Sequence, residues 1–300
     1  MRQVDLAALG VFLALAAPVA AKDCNRTCTL QVADTVLTAL QTGQFGKLLP
    51  RSVRLTENGR DIRPADSQLR AFKTITYQHA FAEPSGSVAV FNGAAEAYGG
   101  AAVFSMRVKL KGSQVTEIET LVVRRTEALT FSPETMSARP EWDQVLAQDG
   151  RESRADLMAT TGAWLDRLVK SQTAEVEACS LTENGARSMS CRDIVGLRGA
   201  TLIRDRRWPL VDDVRGLVWT MAVADIPSPT EVVARPANRL VRGAPLSVRM
   251  GALFKVEAGQ ISAVELVLRD ALPSALTGWA PPKAKKPPPP GQSSAVPDRR

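Results

Sequence analysis

The sequence is poor in the side chains that many enzymes use for proton transfer and metal binding near neutral pH. It contains a single histidine, His79, in 300 residues. Histidine-rich metal sites are therefore excluded. The chain also lacks a G-x-S-x-G elbow, a P-loop, a G-x-G-x-x-G turn and an H-E-x-x-H helix. These absences exclude several common hydrolase, nucleotide-binding and metalloprotease sites, and we expect no metal and no cofactor.

Aromatic residues are also scarce, at 5% of the chain, and the positive charge is concentrated at one end. Residues 281–300 carry five basic side chains and one acidic one, which accounts for +4 of the formal net charge of +7. A nucleic-acid-binding surface would instead combine clustered basic residues with stacking aromatics. We expect no nucleic-acid partner, and we interpret the proline- and lysine-rich residues 280–300 as a disordered tail.

The sequence has one long apolar run, which lies at the N-terminus. Arg2 precedes an apolar stretch over residues 6–17, and small residues follow at 19–21. This pattern predicts a cleavable signal peptide, residues 1–21. A lipid anchor on Cys24 is disfavoured by the charged Lys22 and Asp23. The run is too short to span a bilayer, so we expect no membrane span and a periplasmic or secreted location.

Four cysteines are present: Cys24, Cys28, Cys179 and Cys191. In an oxidising compartment an even number suggests two disulfides, for which three pairings exist. We favour the local pairs, Cys24 with Cys28 and Cys179 with Cys191, because each joins positions near one element. A zinc site is the alternative, but the spacings match no zinc finger or ribbon and no histidine lies nearby.

An internal repeat organises the rest of the chain. The motif LTENG at 55–59 recurs at 181–185, and a helical pattern of apolar residues precedes each copy. Residues 112–123 (GSQVTEIETLVV) resemble 258–269 (AGQISAVELVLR). Three matches in the same order indicate a tandem duplication, with an insertion of 20 residues in the second copy that we place at 225–245.

Each half is predicted to contain a helix, an irregular segment with the Asn-Gly turn, and a run of strands. The strands are predicted at 75–82, 87–98, 101–110 and 114–123, and at 200–207, 216–224, 247–256 and 260–268. The fold class is therefore α+β, with a first domain at 22–128, a linker at 129–150 and a second domain at 151–279.

The order of Cys-x-x-x-Cys, helix, Thr-Glu-Asn-Gly and a terminal Val-Thr-Glu-Ile-Glu-Thr strand resembles the SnoaL-like group of the nuclear transport factor two-like superfamily. This superfamily includes ketosteroid isomerases. Residues 203–218, with the run IRDRRWPLVDD followed by RGLV, most specifically resemble a secreted branch with two tandem halves. The resemblance implies two cone-like domains, each with helices packed on a curved antiparallel sheet and a pocket between them. It implies no single activity.

Three residues of the first half are candidates for catalysis. Tyr77 and His79 lie two apart on a predicted strand and share a face with Phe81. If that face is concave, the resemblance to ketosteroid isomerase makes Tyr77 an oxyanion donor and His79 or Glu119 a base. The alternative is a half-exposed strand histidine beside core aromatics.

Two duplicated glutamate pairs are candidates for ligand binding. Glu57 and Glu183 each precede Asn-Gly, so they either line a pocket or stabilise a turn. Glu119 recurs as Glu265, and each either faces a ligand or pairs with an arginine on a neighbouring strand.

A further set of candidates lies on the first strand of the second half. Asp205 and Arg207 are predicted to share one face of this strand, with Trp208 on the other. Arginine suits carboxylates or phosphates, and tryptophan stacks aromatic ligands. A ladder of ion pairs between strands is the alternative.

Two functions remain open at this point. One is a pocket for a small apolar or aromatic molecule with cofactor-free isomerase or dehydratase chemistry. The other is a non-catalytic ligand-binding or interaction module of the cell envelope. The duplicated halves are expected to pack as an intramolecular pseudo-dimer, and a larger homo-oligomer is left open.

Overall fold

The computed structural model describes residues 24–46, 48–170, 179–191, 194–227 and 245–279. The predicted signal peptide and tail lie outside the described residues, and so does most of the predicted insertion. Within the described ranges, no helix combines the length and the apolar character needed to cross a membrane.

The first half consists of one α-helix and a six-stranded sheet. Its elements are α1 (Arg26–Thr42), β1 (Arg54–Glu57), β2 (Arg60–Asp61), β3 (Phe72–Ala82), β4 (Val88–Ala97), β5 (Gly100–Lys111) and β6 (Gln114–Arg124). The strand order is β2-β1-β6-β5-β4-β3. Strand β1 runs parallel to β6 and the other neighbours are antiparallel, so the sheet is mixed where a purely antiparallel one was expected.

The second half repeats this arrangement. Its elements are α2 (Arg154–Lys170), β7 (Ser180–Glu183), β8 (Ala186–Ser188), β9 (Leu202–Asp212), β10 (Leu217–Ile226), β11 (Leu246–Glu257) and β12 (Gln260–Ala271). The order β8-β7-β12-β11-β10-β9 matches that of the first sheet. Strand β9 extends beyond its predicted end at residue 207 and includes Pro209, which is tolerated because β9 is an edge strand.

Local sequence signals explain how α1 begins and ends. The Asn25 side chain accepts a hydrogen bond from the Cys28 amide at 2.9 Å, as an N-cap residue does. Gly43, with φ of 79°, closes the C-terminus. The disulfide between Cys24 and Cys28 spans the start of the helix. The second pair, Cys179 and Cys191, is also disulfide-bonded, so both favoured pairings are confirmed.

Each helix packs on one face of its own sheet. In the first half, Val36 and Leu37 of α1 belong to the same buried cluster as Phe91 and Phe104. In the second half, Trp164 of α2 packs edge-on against Phe254 of β11, with ring centroids 5.1 Å apart. We call these surfaces the helix-covered faces, and the opposite surfaces the outer faces.

The two outer faces pack against each other. Phe81 and Val90 of the first half form a buried cluster with Leu210, Trp219 and Leu253 of the second. Near the middle, a Cβ atom added to Gly251 would lie 3.2 Å from the Ser105 hydroxyl. These two positions are equivalent in the duplication, so the halves are related by an approximate two-fold axis.

Each half is also contacted by the segment that follows the other half. A Cβ on Gly59 would clash with the Leu276 carbonyl oxygen, and one on Gly185 would clash with the Ser132 carbonyl oxygen. Both glycines have positive φ, 74° and 90°. The duplicated Asn-Gly turns therefore need glycine, because its small size and its backbone freedom are both used.

The threonines of the duplicated motif bind the same two segments. Trp279 donates from Nε1 to the Thr56 hydroxyl at 2.7 Å. Arg139 donates from Nη1 to the Thr182 hydroxyl at 3.1 Å. The linker thus lies on the second half and the segment 272–279 lies on the first, and we call these two the crossed segments.

Candidate functional site at the junction of the halves

The duplicated glutamates Glu57 and Glu183 anchor backbone. Glu57 accepts hydrogen bonds from the Ser67 hydroxyl at 2.8 Å and from the Gln68 amide at 3.0 Å. Glu183 accepts from the Val195 and Gly196 amides, each at 2.9 Å. In both halves the carboxylate therefore fixes the segment that leads from the hairpin to the long strands.

The neighbouring asparagines have an equivalent role that sequence reasoning missed. The Asn58 side-chain oxygen accepts from the Val122 amide, and that of Asn184 accepts from the Leu268 amide, both at 2.9 Å. Each side chain joins its turn to the last long strand of its sheet. The signal for this role was the repetition of asparagine itself.

Tyr77, His79 and Phe81 lie on the outer face of the first sheet, which meets the second half and the linker. Phe81 packs edge-on against Trp142 with ring centroids 6.5 Å apart. His79 Nε2 lies 3.4 Å from the Asp143 carboxylate. Burial lowers the pKa of His79, and Asp143 opposes this effect. These side chains therefore line the contact between halves and not the helix-covered face.

Glu119 and Arg207 come from different halves and meet in this contact. Glu119 is 2% exposed and accepts from Arg207 Nη1 at 3.1 Å and Nη2 at 2.5 Å. It also accepts from Arg107 Nε at 3.2 Å. Arginines therefore bind both carboxylate oxygens of Glu119. For this glutamate the structure agrees with the alternative of an ion pair with arginine.

Its counterpart Glu265 has a different environment. The residue opposite Glu119 on the neighbouring strand is Arg107, whereas the residue opposite Glu265 is Leu253. Burial raises the pKa of Glu265. The duplication has therefore kept the glutamate while changing its arginine partner to leucine.

Tyr77 lies close enough to Glu265 for the two groups to interact electrostatically. Burial raises the pKa of Tyr77, and the charge of Glu265 raises it further. Among the described residues, the Tyr77 hydroxyl and Glu265 Oε1 have no hydrogen-bond partner. The structure thus brings together one predicted catalytic residue and one predicted binding residue, from different halves.

Asp205 and Trp208 are separated from this group. Asp205 has φ of 53° and accepts from Arg204 Nη1 at 2.7 Å. The register of β9 against β10 shifts twice in this region, so the strict alternation of faces is lost. Trp208 donates to the Thr161 hydroxyl of α2 at 3.0 Å. It therefore lies on the helix-covered face, while Arg207 points to the first half.

A cavity of about 590 Å³ lies where the first-half hairpin meets the ends of β11 and β12. We call it the junction cavity. Both halves contribute to its wall, and Glu57 is the sequence candidate among its lining residues. The wall also contains the arginines Arg60, Arg249 and Arg269, the carboxylates Asp66 and Asp270, and apolar side chains that include Ile62, Leu272 and Ala275.

Arg249 is a partly buried arginine of this wall. Its Nε donates to the Leu276 carbonyl at 3.1 Å, and no carboxylate within the described ranges pairs with it. Arg269, by contrast, forms an ion pair with Glu127. Burial lowers the pKa of Arg249 to about 10, and nearby positive charges add to this effect. Those charges are Arg269, Arg60 and Arg204.

The equivalent place in the other half is apolar. Arg249 and Arg269 lie directly opposite each other on β11 and β12, and their counterparts on β5 and β6 are Val103 and Val123. The two valines belong to a buried cluster with Leu121, Phe131 and Val267. Sequence reasoning missed Arg249. The alignment of 112–123 with 258–269 sets Val123 against Arg269, and extending it upstream with the same offset sets Val103 against Arg249.

Comparisons with known proteins give little further information. Residues 150–268 match a family model described as a domain of unknown function (DUF8021). No curated protein matches the chain.

Solved structures match about a third of the chain. A steroid delta-isomerase from Pseudomonas aeruginosa is 14% identical, with a TM-score of 0.28, and the match covers 35% of this chain and 84% of that one. A de novo designed protein with a curved β-sheet is also 14% identical, with a TM-score of 0.29, and covers 33% and 88%. AclR, described as a putative hydroxylase from Streptomyces galilaeus, is 12% identical, with a TM-score of 0.23 and coverage of 33% and 81%. Scores this low do not establish a shared function.

Proposed function

We propose that the protein is a non-catalytic ligand-binding module of the periplasm or the extracellular space. The observation that carries this proposal is the junction cavity, whose volume of about 590 Å³ falls in the range of small-molecule sites. Its wall combines charged groups with apolar side chains, an arrangement that orients a ligand. Two disulfides are compatible with an oxidising compartment.

The environment of the candidate catalytic residues favours binding over catalysis. Both oxygens of Glu119 are held by arginines, so this carboxylate is poorly suited to accept a proton from a substrate. His79 is packed against Phe81, with ring centroids 4.1 Å apart. Both residues serve the contact between the sheets.

One observation favours the second candidate function, a cofactor-free isomerase or dehydratase. A buried carboxylic acid that stays neutral, next to a tyrosine hydroxyl, is an arrangement that donates hydrogen bonds to an oxyanion. Burial raises the pKa of both Glu265 and Tyr77, which favours the protonated form of each. A substrate would have to enter between the two outer faces to reach them.

A thermal-shift screen of residues 22–300, with both disulfides formed, tests the proposal. The compounds would be apolar aromatics, phenols and small organic anions. A ligand at 100 times its dissociation constant adds about 2.7 kcal/mol to the free energy of unfolding, which shifts the midpoint by several degrees in a protein of this size.

Incubation of each stabilising compound with the protein then separates the two candidates. We expect the compound to be recovered unchanged. Conversion that is lost in Tyr77→Phe, with stability retained, would establish the isomerase or dehydratase function instead. A screen without any shift would contradict small-molecule binding.

A further inference from the structure

One nitrogen of the Arg249 guanidinium is held by the protein, and the other two remain available to a ligand. Its Nε is engaged by the Leu276 carbonyl. A Cβ on Gly59 would lie 2.6 Å from this Nε and 3.1 Å from Nη2, so the guanidinium packs directly on the turn of the first half. Within the described ranges, neither terminal nitrogen donates to a protein acceptor. The two nitrogens on one edge of a fixed guanidinium match the two oxygens of a carboxylate.

The arginine pair places two like charges opposite each other, and only Arg269 of the two has a carboxylate partner among the described residues, Glu127. Like charges directly opposite each other on neighbouring strands are destabilising. The other half has the valine pair Val103 and Val123 at the same positions, and that pair is fully buried. The fold therefore accepts an apolar pair here, and the arginines are not needed to form the sheet. A stability cost of this kind is typical of binding sites.

Of the carboxylates in the wall, Glu57 accepts hydrogen bonds from Ser67 and Gln68, and Asp66 is paired with Arg63. The apolar part of the wall indicates what else the ligand carries. Ile62, Leu272 and Ala275 line the junction cavity, and Leu272 is 73% exposed. An exposed leucine beside a cationic group suits a molecule with a hydrocarbon part and an anionic end. The volume of about 590 Å³ is also far larger than a single inorganic ion requires.

We propose that the junction cavity binds a small organic acid whose carboxylate is held by Arg249 and whose hydrocarbon part lies against Ile62 and Leu272. This inference rests on the proposed binding function and adds the ligand class and the residue that selects it. Arg269 contributes positive charge but is already paired with Glu127.

Calorimetric titration of residues 22–300 with hexanoate, hexan-1-ol and inorganic phosphate tests the inference. We expect saturable binding of hexanoate, at least tenfold weaker binding of hexan-1-ol, and no competition by phosphate. Arg249→Val, which copies the valine of the other half, should weaken hexanoate binding at least tenfold and raise the melting temperature of the free protein. Arg249→Lys should retain part of the affinity, because it keeps the charge but loses the fork.

Arg51→Gln is the matched control, because Arg51 is exposed and lies outside the cavity wall. It removes one positive charge and should leave hexanoate binding unchanged. Equal binding of hexanoate by Arg249→Val and the unaltered chain would overturn the inference, and so would equal affinity for hexanoate and hexan-1-ol. Tighter binding of phosphate than of hexanoate would also overturn the inference, because it would show that the site selects a tetrahedral anion and not a carboxylate.

The outcome also separates this inference from the function on which it rests. Stabilisation by aromatic or phenolic compounds without any hexanoate binding would refute the carboxylate site and leave the binding function intact. Absence of binding by every class would refute both.

Discussion

Glu119 of the first half and Arg207 of the second are joined by two hydrogen bonds, of 3.1 and 2.5 Å, across the contact between the sheets. The carboxylate is 2% exposed, so its charge depends on arginine for compensation. The pair therefore makes the stability of one half dependent on the other.

Removing Arg207 should weaken the protein measurably. We expect Arg207→Gln to lower the free energy of unfolding by about 1–3 kcal/mol, because it leaves a buried acceptor partly unsatisfied. Arg63→Gln is the control, since Arg63 is 82% exposed and pairs with Asp66, which is 47% exposed, and such exposed pairs contribute little to stability. Urea denaturation measures both variants. Equal losses would show that Arg207 acts only as a surface charge.

Glu265 should make stability depend on pH. Burial raises its pKa, so above the unfolded value of about 4.3 the native state binds more protons than the unfolded state. Stability is then lost as pH rises above that value. We expect Glu265→Gln to be more stable than the unaltered chain by about 1–3 kcal/mol at neutral pH, and nearly equal to it at pH 4.

Glu119→Gln is the matched comparison for Glu265→Gln and should behave oppositely. It weakens two arginine contacts and should destabilise at neutral pH. A gain from Glu265→Gln that is the same at pH 4 and pH 7 would show that the effect does not arise from ionisation.

Replacing the two repeated asparagines with aspartate should change the stability of the protein by different amounts. Asn58 and Asn184 both accept from a strand amide, but Asn184 Nδ2 also donates to the Thr130 and Leu268 carbonyls. Within the described chain, Asn58 Nδ2 has no partner. We expect Asn58→Asp to be nearly neutral, whereas Asn184→Asp should cost about 1–3 kcal/mol through two unsatisfied carbonyls. Thermal melts of the two variants decide this, and equal losses would contradict it.

The disulfides should contribute according to the loops that they close. Cys179 and Cys191 are 12 residues apart, and Cys24 and Cys28 are 4 apart. On the loop-entropy model, replacing the longer pair with alanine costs about 3 kcal/mol and the shorter pair about 2 kcal/mol. Urea denaturation of the two double-alanine variants measures the difference. A larger loss for the shorter pair would mean that it acts through the start of α1.

The duplicated architecture could be predicted because the two Asn-Gly turns require glycine at the same position, which keeps the motif recognisable in both halves. Gly59 and Gly185 each adopt positive φ against a neighbouring backbone, so the motif was retained in both copies. The faces of the strands were harder to predict. Alternation showed that Tyr77, His79 and Phe81 share a face, but it does not say which face the helix covers. The irregular pairing around Asp205 further broke the expected alternation on β9.

The junction cavity could not be predicted, because its wall combines residues far apart in the chain. Arg60 and Arg249 meet there only after the second half has packed on the first. Arg249 also lies in a strand whose other residues are mostly buried and apolar. A single arginine near the end of such a strand suggests only where the strand leaves the core, and does not indicate a binding site. The comparison of the two copies, rather than the pattern of either one, distinguishes it.

The crossed segments imply that this chain is built like two subunits that have exchanged arms. A single-copy ancestor with the same connections would have formed a symmetric dimer with two identical junctions. Within one chain the two junctions can differ: Val103 and Val123 belong to a buried apolar cluster at one, whereas Arg249 and Arg269 line the cavity at the other. A symmetric dimer would carry the same residues at both junctions, whereas a single chain can combine apolar packing at one with arginines at the other.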